Sequence, residues 1–328
     1  MKFPWRGAIG LALTVLLLWW VFRDVHWSEV MGHLRSANIP LVVLSVVVAT
    51  LIFPLRALRW RPILHAVEPD IPFGPLWRAT AMGFMANSIL PSRIGELVRA
   101  YALTRETSVT FSAAFASLIV DRVFDGFVVL LLMVIAMLDP AFPTGVSVAT
   151  YAGGGAAVIV GIAFVLYAIV FFPDRLIRLF ELFARRVAPR FEERGRALLR
   201  AFADGLSVLR HPGRFLVVFL WALALWLANA LSFWIMFRAL GIDAPFSAAL
   251  FLQGLIVFFV ALPSTPGFFG LFEAGAKLGL VMYGVNEGLA VSWGLIFHVF
   301  SLIPITVIGL YYVAKAGMTL GDLKQIGK

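Results

Sequence analysis

The chain has 328 residues, of which 61% are hydrophobic and only 14% are charged. This leaves too little polar surface for a water-soluble globule, so the sequence predicts one integral membrane domain over residues 1–328. The net charge of +9 does not indicate a nucleic-acid partner, because the arginines lie in short loops between apolar segments, as in membrane proteins. The absence of cysteine excludes disulfides, iron–sulfur clusters and thiol catalysis.

Six apolar segments match the length of a membrane-spanning helix, which needs about 20 residues, or somewhat fewer where flanking residues reach the interface. They comprise residues 7–22, 40–58, 111–138, 146–172, 215–237 and 289–313. The predicted fold class is therefore an all-α polytopic membrane protein with six full spans.

Two further apolar stretches, 79–103 and 246–283, are interrupted by proline and polar residues. We expect each to form a re-entrant helical hairpin that enters and leaves the membrane on the same side. Such irregular backbone is tolerated only where it is buried in protein or lines a watery cavity. The alternative is a protein with eight kinked spans.

The arginines in the loops orient these segments. Residues 174–214 contain ten arginines and five acidic residues, which indicates a cytoplasmic loop. If each hairpin returns to its starting side, Arg56, Arg59 and Arg99 fall in cytoplasmic segments and both termini are cytoplasmic. Trp60, near a span end, fits the interfacial aromatic belt.

Residues 40–138 and 215–313 each contain a span, a hairpin and a span. The orientation above has the first hairpin entering from the cytoplasm and the second from outside, so the two halves form an inverted-topology repeat. The broken tips are then expected to meet near the bilayer midplane. Broken apolar segments in corresponding positions of two halves are the best sequence indication of a transporter's substrate site.

Within 174–214, apolar residues recur on one helical face and arginines occupy the rest. This pattern predicts cytoplasmic, arginine-rich amphipathic helices that lie on the inner leaflet. A simple topology anchor without lipid selectivity is the alternative.

The first hairpin contains the strongest candidates for substrate binding. Three charged residues follow its Pro-Ser break at three-residue steps and share one helical face. A helix that restarts after a break has free backbone N–H groups, which together with arginine make a seat for phosphate. The candidates are Asn87, Ser92, Arg93, Glu96 and Arg99. For Arg99 the alternative is a marker of the cytoplasmic boundary.

The second hairpin supplies candidates of the same kind. Pro263 and Gly267 permit a tight, irregular turn with close backbone approach. Glu273 and Lys277 follow at a spacing of four residues, which also allows plain mutual neutralisation.

Charged and titratable residues inside the spans are candidates for gating or coupling, because each charge costs about 2.5–3.5 kcal/mol on membrane insertion. Asp121, Arg122 and Asp125 lie in one span, and Arg122 can reach Asp125 on the same face. A structural ion pair between helices is the alternative. His298 is a candidate proton relay, with a packing role as its alternative.

No cofactor or resident metal is expected. The chain lacks the glycine-rich lysine motif of ATP-driven proteins. His26 and His33, seven residues apart, are a weak metal signal and are expected to be polar surface. The Pro-Ser steps lack the Gly-His continuation typical of membrane phosphatases.

Four motifs occur in order: R-A-L-R-W from Arg56, N-S-I-L-P-S-R-I-G-E-L-V-R-A from Asn87, D-R-V-F-D from Asp121 and L-P-S-T-P-G-F-F-G-L-F-E from Leu262. Together they resemble the transmembrane region of the lysylphosphatidylglycerol synthase, or multiple peptide resistance factor, family. In two-domain members this region is taken to flip aminoacylated phosphatidylglycerol between leaflets. The chain stops soon after its last span, so the resemblance implies a stand-alone member without the synthase domain and without its activity.

The sequence therefore leads us to expect a lipid transporter or flippase, not an enzyme, in the bacterial cytoplasmic membrane. Its substrate would be an anionic or phosphate-bearing lipid, such as a phospholipid, an aminoacyl-phospholipid or a polyprenyl-linked lipid. Two alternatives are a membrane-embedded transferase or hydrolase acting on a lipid-linked substrate, and a scaffold of a lipid-synthesis complex. The sequence is compatible with a homo-oligomer and with a partner protein from lipid biosynthesis.

Overall fold

The computed structural model describes residues 27–65, 67–90, 94–143, 172–187, 212–262 and 266–326, together with 19, 161, 192–193, 195–196 and 200. Every regular element in this part of the chain is helical, which confirms the all-α fold class. The helices are α1 Trp27–Ser36, α2 Ile39–Leu64, α3 Phe73–Ile89, α4 Gly95–Thr104, α5 Phe111–Met137, α6 Pro173–Val187, α7 Pro212–Ala239, α8 Phe246–Ala261, α9 Leu271–Met282, α10 Glu287–Lys315 and α11 Leu320–Ile326.

Within the described residues, three helices are long and apolar enough to cross a membrane: Ile39–Leu64, Gly213–Ala239 and Glu287–Lys315. They confirm the predicted spans 40–58, 215–237 and 289–313. The helix α5, at 27 residues, is equally long but contains the D-R-V-F-D charges. The predicted spans 7–22 and 146–172 lie outside the described residues, apart from Trp19 and Gly161.

The apolar side chains on the outside of these helices indicate a lipid-facing surface. On α2 they recur at helical spacing and are exposed although they are aliphatic. The same holds for the outer faces of α7 and α10. Exposed examples are Val43, Val47, Leu51, Leu216, Leu220, Leu231, Ile303, Val307 and Leu310. A water-soluble protein rarely exposes apolar stripes of this length.

The long helices begin at side-chain caps that the sequence encodes. Asn38 accepts a hydrogen bond from the backbone N–H of Leu41 at 3.3 Å and starts α2. Thr110 starts α5, and Asn286 starts α10 by accepting from two backbone N–H groups at 2.9 and 3.3 Å. Each cap satisfies donors that the first helical turn leaves unpaired.

The helices α2 and α7 pack against each other in opposite directions along the centre of the molecule. The backbone N–H of Asn38 donates to Ala239 O at 2.8 Å, so the start of α2 meets the end of α7. Ser45 Oγ donates to Ser232 O at 2.7 Å further along. The two halves of the fold therefore meet through this antiparallel pair.

Corresponding helices of the two halves make corresponding contacts. Each half contains a long helix, a pair of shorter helices and another long helix. The helix α3 packs on α10, and its counterpart α8 packs on α5. Gly309 of α10 lies against Met85 of α3, and Gly254 of α8 lies against Met133 of α5. Glycine lets the helix axes approach closely at both places.

The shorter helices of each half form an antiparallel pair around a break. The helix α3 ends at Ile89, and Asn87 Oδ1 accepts a hydrogen bond from Gly95 N at 2.8 Å, which caps α4. Gly83 and Gly95 pack backbone to backbone across this pair. In the second half, Gly275 of α9 packs against Ile256 of α8. The sequence predicted this hairpin over residues 79–103, but its first helix, α3, begins six residues earlier, at Phe73.

The two breaks touch each other. A short 3-10 turn, Pro266–Phe268, joins α8 to α9. Gly267 has a positive φ of 70° and Gly270 one of 85°, conformations that glycine adopts without steric cost. A side-chain carbon on Gly267 would lie 3.3 Å from Ser88 O at the end of α3.

The arginine-rich segment is described in its first part only. The helix α6, Pro173–Val187, exposes Leu179 and Leu182. The second predicted helix of 174–214 lies largely outside the described residues, so the placement of this segment on a leaflet stays a prediction.

Candidate functional site

Asp125 is the centre of a buried group of charges. Its carboxylate accepts hydrogen bonds from Arg56 Nη1 at 2.7 Å, Arg59 Nη1 at 2.6 Å and Trp226 Nε1 at 2.8 Å. Asp125 lies near the middle of α5, and Trp226 lies near the middle of α7. At 1.5 Å per residue, this contact is about 20 Å from either end of both helices.

Asp121 lies one turn earlier on the same face of α5. It pairs with Arg59 Nη2 at 2.7 Å and more loosely with Arg99 Nη1 at 3.4 Å. The Arg99 guanidinium lies 4.2 Å from the ring centre of Trp60. The Nε and Nη2 atoms of Arg99 are buried without a hydrogen-bond partner among the described residues. Arg99 is thus the least satisfied guanidinium of the group.

These positions correct the orientation argument made from the sequence. Arg56 and Arg59 were expected in a cytoplasmic segment, but both are buried and paired with aspartates. Trp60 was expected in the interfacial belt, but it is fully buried and donates to Ser117 Oγ at 2.7 Å. Arg99 is 2% exposed, so it is not a solvent-exposed residue of a loop. The ion pairs offset part of the cost of burial, and helix α2 extends beyond residue 58 to Leu64.

One end of the group is accessible. Arg122 Nη2 pairs with Glu96 Oε1 at 2.6 Å, and their side chains are 40% and 28% exposed. Asn87 Nδ2 reaches Glu96 at 3.5 Å, which ties the carboxylate to the end of α3. The Phe84 ring lies beside both Arg122 and Arg56, at 5.8 and 5.5 Å from their guanidinium carbons. The Arg122 contact with Asp125 expected from their spacing is present at 3.4 Å.

We call this group the arginine cluster. It consists of Arg56, Arg59, Glu96, Arg99, Asp121, Arg122 and Asp125. Its four guanidinium groups exceed its three carboxylates by one formal positive charge. An uncompensated charge at this depth is costly. The arrangement can therefore accept one anionic group through guanidinium hydrogen bonds.

The second break holds a different group. Glu273 Oε1 lies 2.7 Å from His298 Nδ1, and Glu273 Oε2 accepts from Gly270 N at 2.7 Å. Both side chains are buried. The imidazole lies between the rings of Phe269 and Phe272, at 4.7 and 4.3 Å.

Lys277 forms an ion pair with Glu287 at the start of α10. The sequence predicted Glu273 and Lys277 as binding candidates, with mutual neutralisation as the alternative. The structure instead gives Glu273 a partner in His298 and gives Lys277 a partner on the next helix.

The predicted site residues thus separate into three sets. Asn87, Glu96, Arg99, Asp121, Arg122 and Asp125 come together in or beside the arginine cluster. Gly267, Glu273, Lys277 and His298 belong to the second break. Ser92, Arg93 and Pro263 lie outside the described residues. The described part of the chain contains no group of three or more histidine or acidic side chains arranged to hold a metal ion.

Sequence reasoning missed three partners of Asp125: Arg56, Arg59 and Trp226. The two arginines carried a signal, because R-A-L-R-W places them three residues apart within an apolar run. That spacing puts both on one helical face. Trp226 carried none, since a tryptophan in an apolar helix is ordinarily a packing residue.

The fold and the buried ion pairs define a polytopic helical membrane protein with charged residues inside its core. The chain belongs to the family described as the lysylphosphatidylglycerol synthase TM region, whose sequence model matches residues 7–309. The resemblance inferred from the four motifs is thereby confirmed.

Individual relatives fall into two kinds. The glycosyltransferase AglD of Haloferax volcanii is 29% identical over 80% of this chain, and the match covers 47% of AglD, about half of its length. A UPF0104 membrane protein of Methanothermobacter thermautotrophicus is 23% identical over 97% of both chains. A UPF0104 membrane protein of Pyrococcus horikoshii is 23% identical over 94% of this chain and 95% of its own length.

Proposed function

We propose that this protein is a lipid translocase that moves a phosphate-bearing lipid between membrane leaflets, with the arginine cluster as the seat of the headgroup. One observation carries the proposal. The cluster is centred on Asp125, which contacts Trp226 midway along α5 and α7, has one guanidinium more than it has carboxylates, and is accessible at Arg122 and Glu96. A lipid phosphate supplies the missing negative charge.

The packing directions support the two hairpins as re-entrant elements. Because Trp60 contacts Ser117 while Arg56 contacts Asp125, α2 and α5 run in opposite directions. The end of α2 and the start of α5 therefore lie at one end of the bundle, and the α3–α4 pair must return to it. The helix α4 has 10 residues, about 15 Å. That is half the thickness of the apolar bilayer core, which is about 30 Å.

The second half has the same arrangement. Phe233 and Phe237 of α7 both contact Trp293 of α10, while Phe233 also contacts Phe297, so these helices are antiparallel. The antiparallel α2 and α7 then relate the two halves by an axis in the membrane plane. We infer an inverted-topology repeat, the architecture in which alternating access exposes one central site to each side in turn.

Headgroup binding follows from the competition for Arg122. In the structure Glu96 occupies one edge of this guanidinium at 2.6 Å. An arriving phosphate replaces that contact and is also within the field of Arg99, which has unused donors. The acyl or prenyl tails remain in the bilayer along the exposed apolar faces. Arg93 and Ser92 stay predicted members of the same seat.

The proposal also includes the membrane in which the protein lies and its orientation there. The protein is multi-pass, and we propose the bacterial cytoplasmic membrane with both termini in the cytoplasm. Arg56 and Arg59 are buried, so they no longer count among the loop arginines from which the orientation is inferred. The ten arginines of 174–214 still support a cytoplasmic loop. Membrane lipids are the proposed partners, and no cofactor is part of the mechanism.

A leaflet-exchange assay tests the proposal. Purified protein is reconstituted in vesicles of phosphatidylcholine with fluorescent phosphatidylglycerol, and exchange is followed by quenching the outer leaflet. Arg122→Gln removes the surplus charge, so we expect exchange to fall at least about 10-fold, the effect of roughly 1.4 kcal/mol of lost binding. Arg78→Gln is the matched control, because Arg78 forms an accessible ion pair with Glu106 outside the cluster.

Two results contradict the assignment. Equal exchange by wild type and Arg122→Gln removes the cluster from the site, and exchange no faster than in empty vesicles removes the translocase function. Recovery of monodisperse protein in detergent for both variants shows that the comparison is between folded proteins.

A second candidate function comes from the name of AglD, a glycosyltransferase that is 29% identical to this chain. In that reaction an oxygen of a lipid phosphate, held in the same anion seat, would attack the anomeric carbon of a nucleotide sugar and release the nucleoside diphosphate, with Asp121 or His298 as the base for a phosphate proton. Incubation with a nucleotide sugar and a polyprenyl phosphate distinguishes the two functions. A glycosylated lipid product supports the transferase, whereas exchange without product supports the translocase.

A further inference from the structure

We propose that Glu273 and His298 form a proton-binding site that couples proton uptake to headgroup binding, which makes the proton the coupling ion of transport. This inference rests on the proposed translocase function and adds its energy source. The observation behind it is that Glu273 Oε1 and His298 Nδ1 lie 2.7 Å apart, with both side chains buried at the break of the second hairpin.

The pair can gain one proton without a change of partners. Glu273 lies in the first turn of α9, where its Oε2 accepts a hydrogen bond from Gly270 N, as a carboxylate oxygen can. His298 Nδ1–H then donates to Glu273 Oε1, and the pair carries one negative charge. Proton uptake at His298 Nε2 converts the imidazole to imidazolium and makes the pair neutral. The flanking rings of Phe269 and Phe272 stabilise a cation between them.

The charged residues around this pair lie on α1, α9 and α10. Lys277 of α9 and Glu287 of α10 form an ion pair with each other. On α1, packed against α10, Glu29 lies beside Gly288, His33 Nδ1 lies 2.9 Å from Ser292 Oγ, and Arg35 is exposed.

The other elements packed on α9 and α10 add no charge to the pair. The helix α8 has no charged residue. The only charged residue of α3, Arg78, pairs with Glu106. On α7, Arg238 pairs with Asp243, and Arg214 lies in the exposed first turn. In α2, Arg56 and Arg59 belong to the arginine cluster, and Arg61 is exposed.

A continuous set of contacts joins the pair to the arginine cluster. Glu273 holds the N–H of Gly270, and Gly267 in the same loop lies against Ser88 O. Asn87, next to Ser88, caps α4 and reaches Glu96, the partner of Arg122. A change at either site therefore acts on the loop that separates them. A bound phosphate also adds negative charge to the same interior, which favours the protonated pair.

Proton uptake on lipid binding is the direct test. Dihexanoyl phosphatidylglycerol is added to protein in weakly buffered detergent, and a pH indicator records uptake. Wild-type protein should take up about one proton per chain or less. The reason is that a ligand which binds the protonated form more tightly causes the protein to bind protons. His298→Gln and Glu273→Gln should abolish the uptake. His33→Gln, which alters a histidine on α1 that bonds to Ser292 and not to Glu273, should retain it.

Leaflet exchange under an imposed pH gradient separates this inference from the function. We expect the gradient to change the wild-type exchange rate by at least about 5-fold, the lower end of ordinary coupling, and to leave His298→Gln unaffected. Exchange that is active but equal with and without the gradient, with no proton uptake, overturns the proton site and leaves the translocase. Proton uptake without exchange keeps the site and overturns the translocase. Absence of both overturns both proposals.

Discussion

The two hairpins have the same helical plan but hold different chemistry. The first is surrounded by guanidinium groups and opens at Arg122 and Glu96. The second encloses a single carboxylate–imidazole pair and shields it with aromatic rings. The two halves thus share the contacts of their helices but differ in the charged groups that they hold. In our interpretation the first half binds the anion and the second half binds the proton.

Removing Asp125 should be the most damaging single change in either half. Asp125→Ala leaves Arg56, Arg59 and Trp226 without their shared acceptor. Breaking a buried ion pair of this kind costs about 3–5 kcal/mol. Denaturant unfolding in detergent measures the loss. A change below about 1 kcal/mol would mean that water reaches the arginines and that the cluster is not a closed ionic core.

Glycine substitutions compare the packing of the two hairpins. Gly95→Ala places a methyl group against the backbone of Gly83 and the side chain of Asn87. We therefore expect the free energy of unfolding to fall by about 3 kcal/mol. Gly275→Ala meets the side chain and the Cα of Ile256 at 3.1 and 3.2 Å, longer than the contacts of 2.3–2.5 Å at Gly95, and should lower the free energy of unfolding by about 1 kcal/mol. Unfolding midpoints of both variants measure the difference. Equal losses would contradict the tighter packing of the first hairpin.

Glu273→Ala is the counterpart of Asp125→Ala in the second half. The variant leaves Gly270 N and His298 without their acceptor, but an imidazole can remain neutral whereas an arginine cannot. We therefore expect the free energy of unfolding to fall by about 1–3 kcal/mol, less than for Asp125→Ala. The same unfolding experiment checks it, with His33→Gln as the control. A loss as large as that of Asp125→Ala would indicate an essential ion pair here too.

The smallest expected effects are at the caps of the equivalent helices α5 and α10. Asn286 accepts two backbone hydrogen bonds, at 2.9 and 3.3 Å, and Asn286→Ala should cost about 1 kcal/mol. Thr110 accepts one bond at 3.4 Å. Thr110→Ala should therefore cost about 0.5 kcal/mol. Thermal unfolding resolves these values, and a reversed order would show that hydrogen-bond length is a poor guide at these caps.

Much of the helical plan could be predicted from hydropathy alone. Apolar length predicted α2, α5, α7 and α10, and the proline and glycine residues predicted both breaks. These are local signals, since length and turn chemistry act within one segment. The helix α2 extends six residues beyond the predicted span 40–58, and this extension contains Arg59. A single segment does not reveal that its charges are neutralised by another helix.

The partners within the site were harder to predict for the same reason. D-R-V-F-D identified Asp121, Arg122 and Asp125 as unusual, and their spacing predicted the contact within α5. The contact of Asp125 with Trp226 spans 101 positions along the chain, and that of Glu273 with His298 spans 25. Such pairings depend on how the helices pack, which spacing within one helix does not determine.

The hydrogen bonds between α2 and α7 limit how the protein can move. Asn38 and Ser45 fix these helices to Ala239 and Ser232 at two levels along their length. In the translocase that we propose, an opening movement that keeps these two hydrogen bonds moves α2 and α7 together as one unit and displaces the other helices around them.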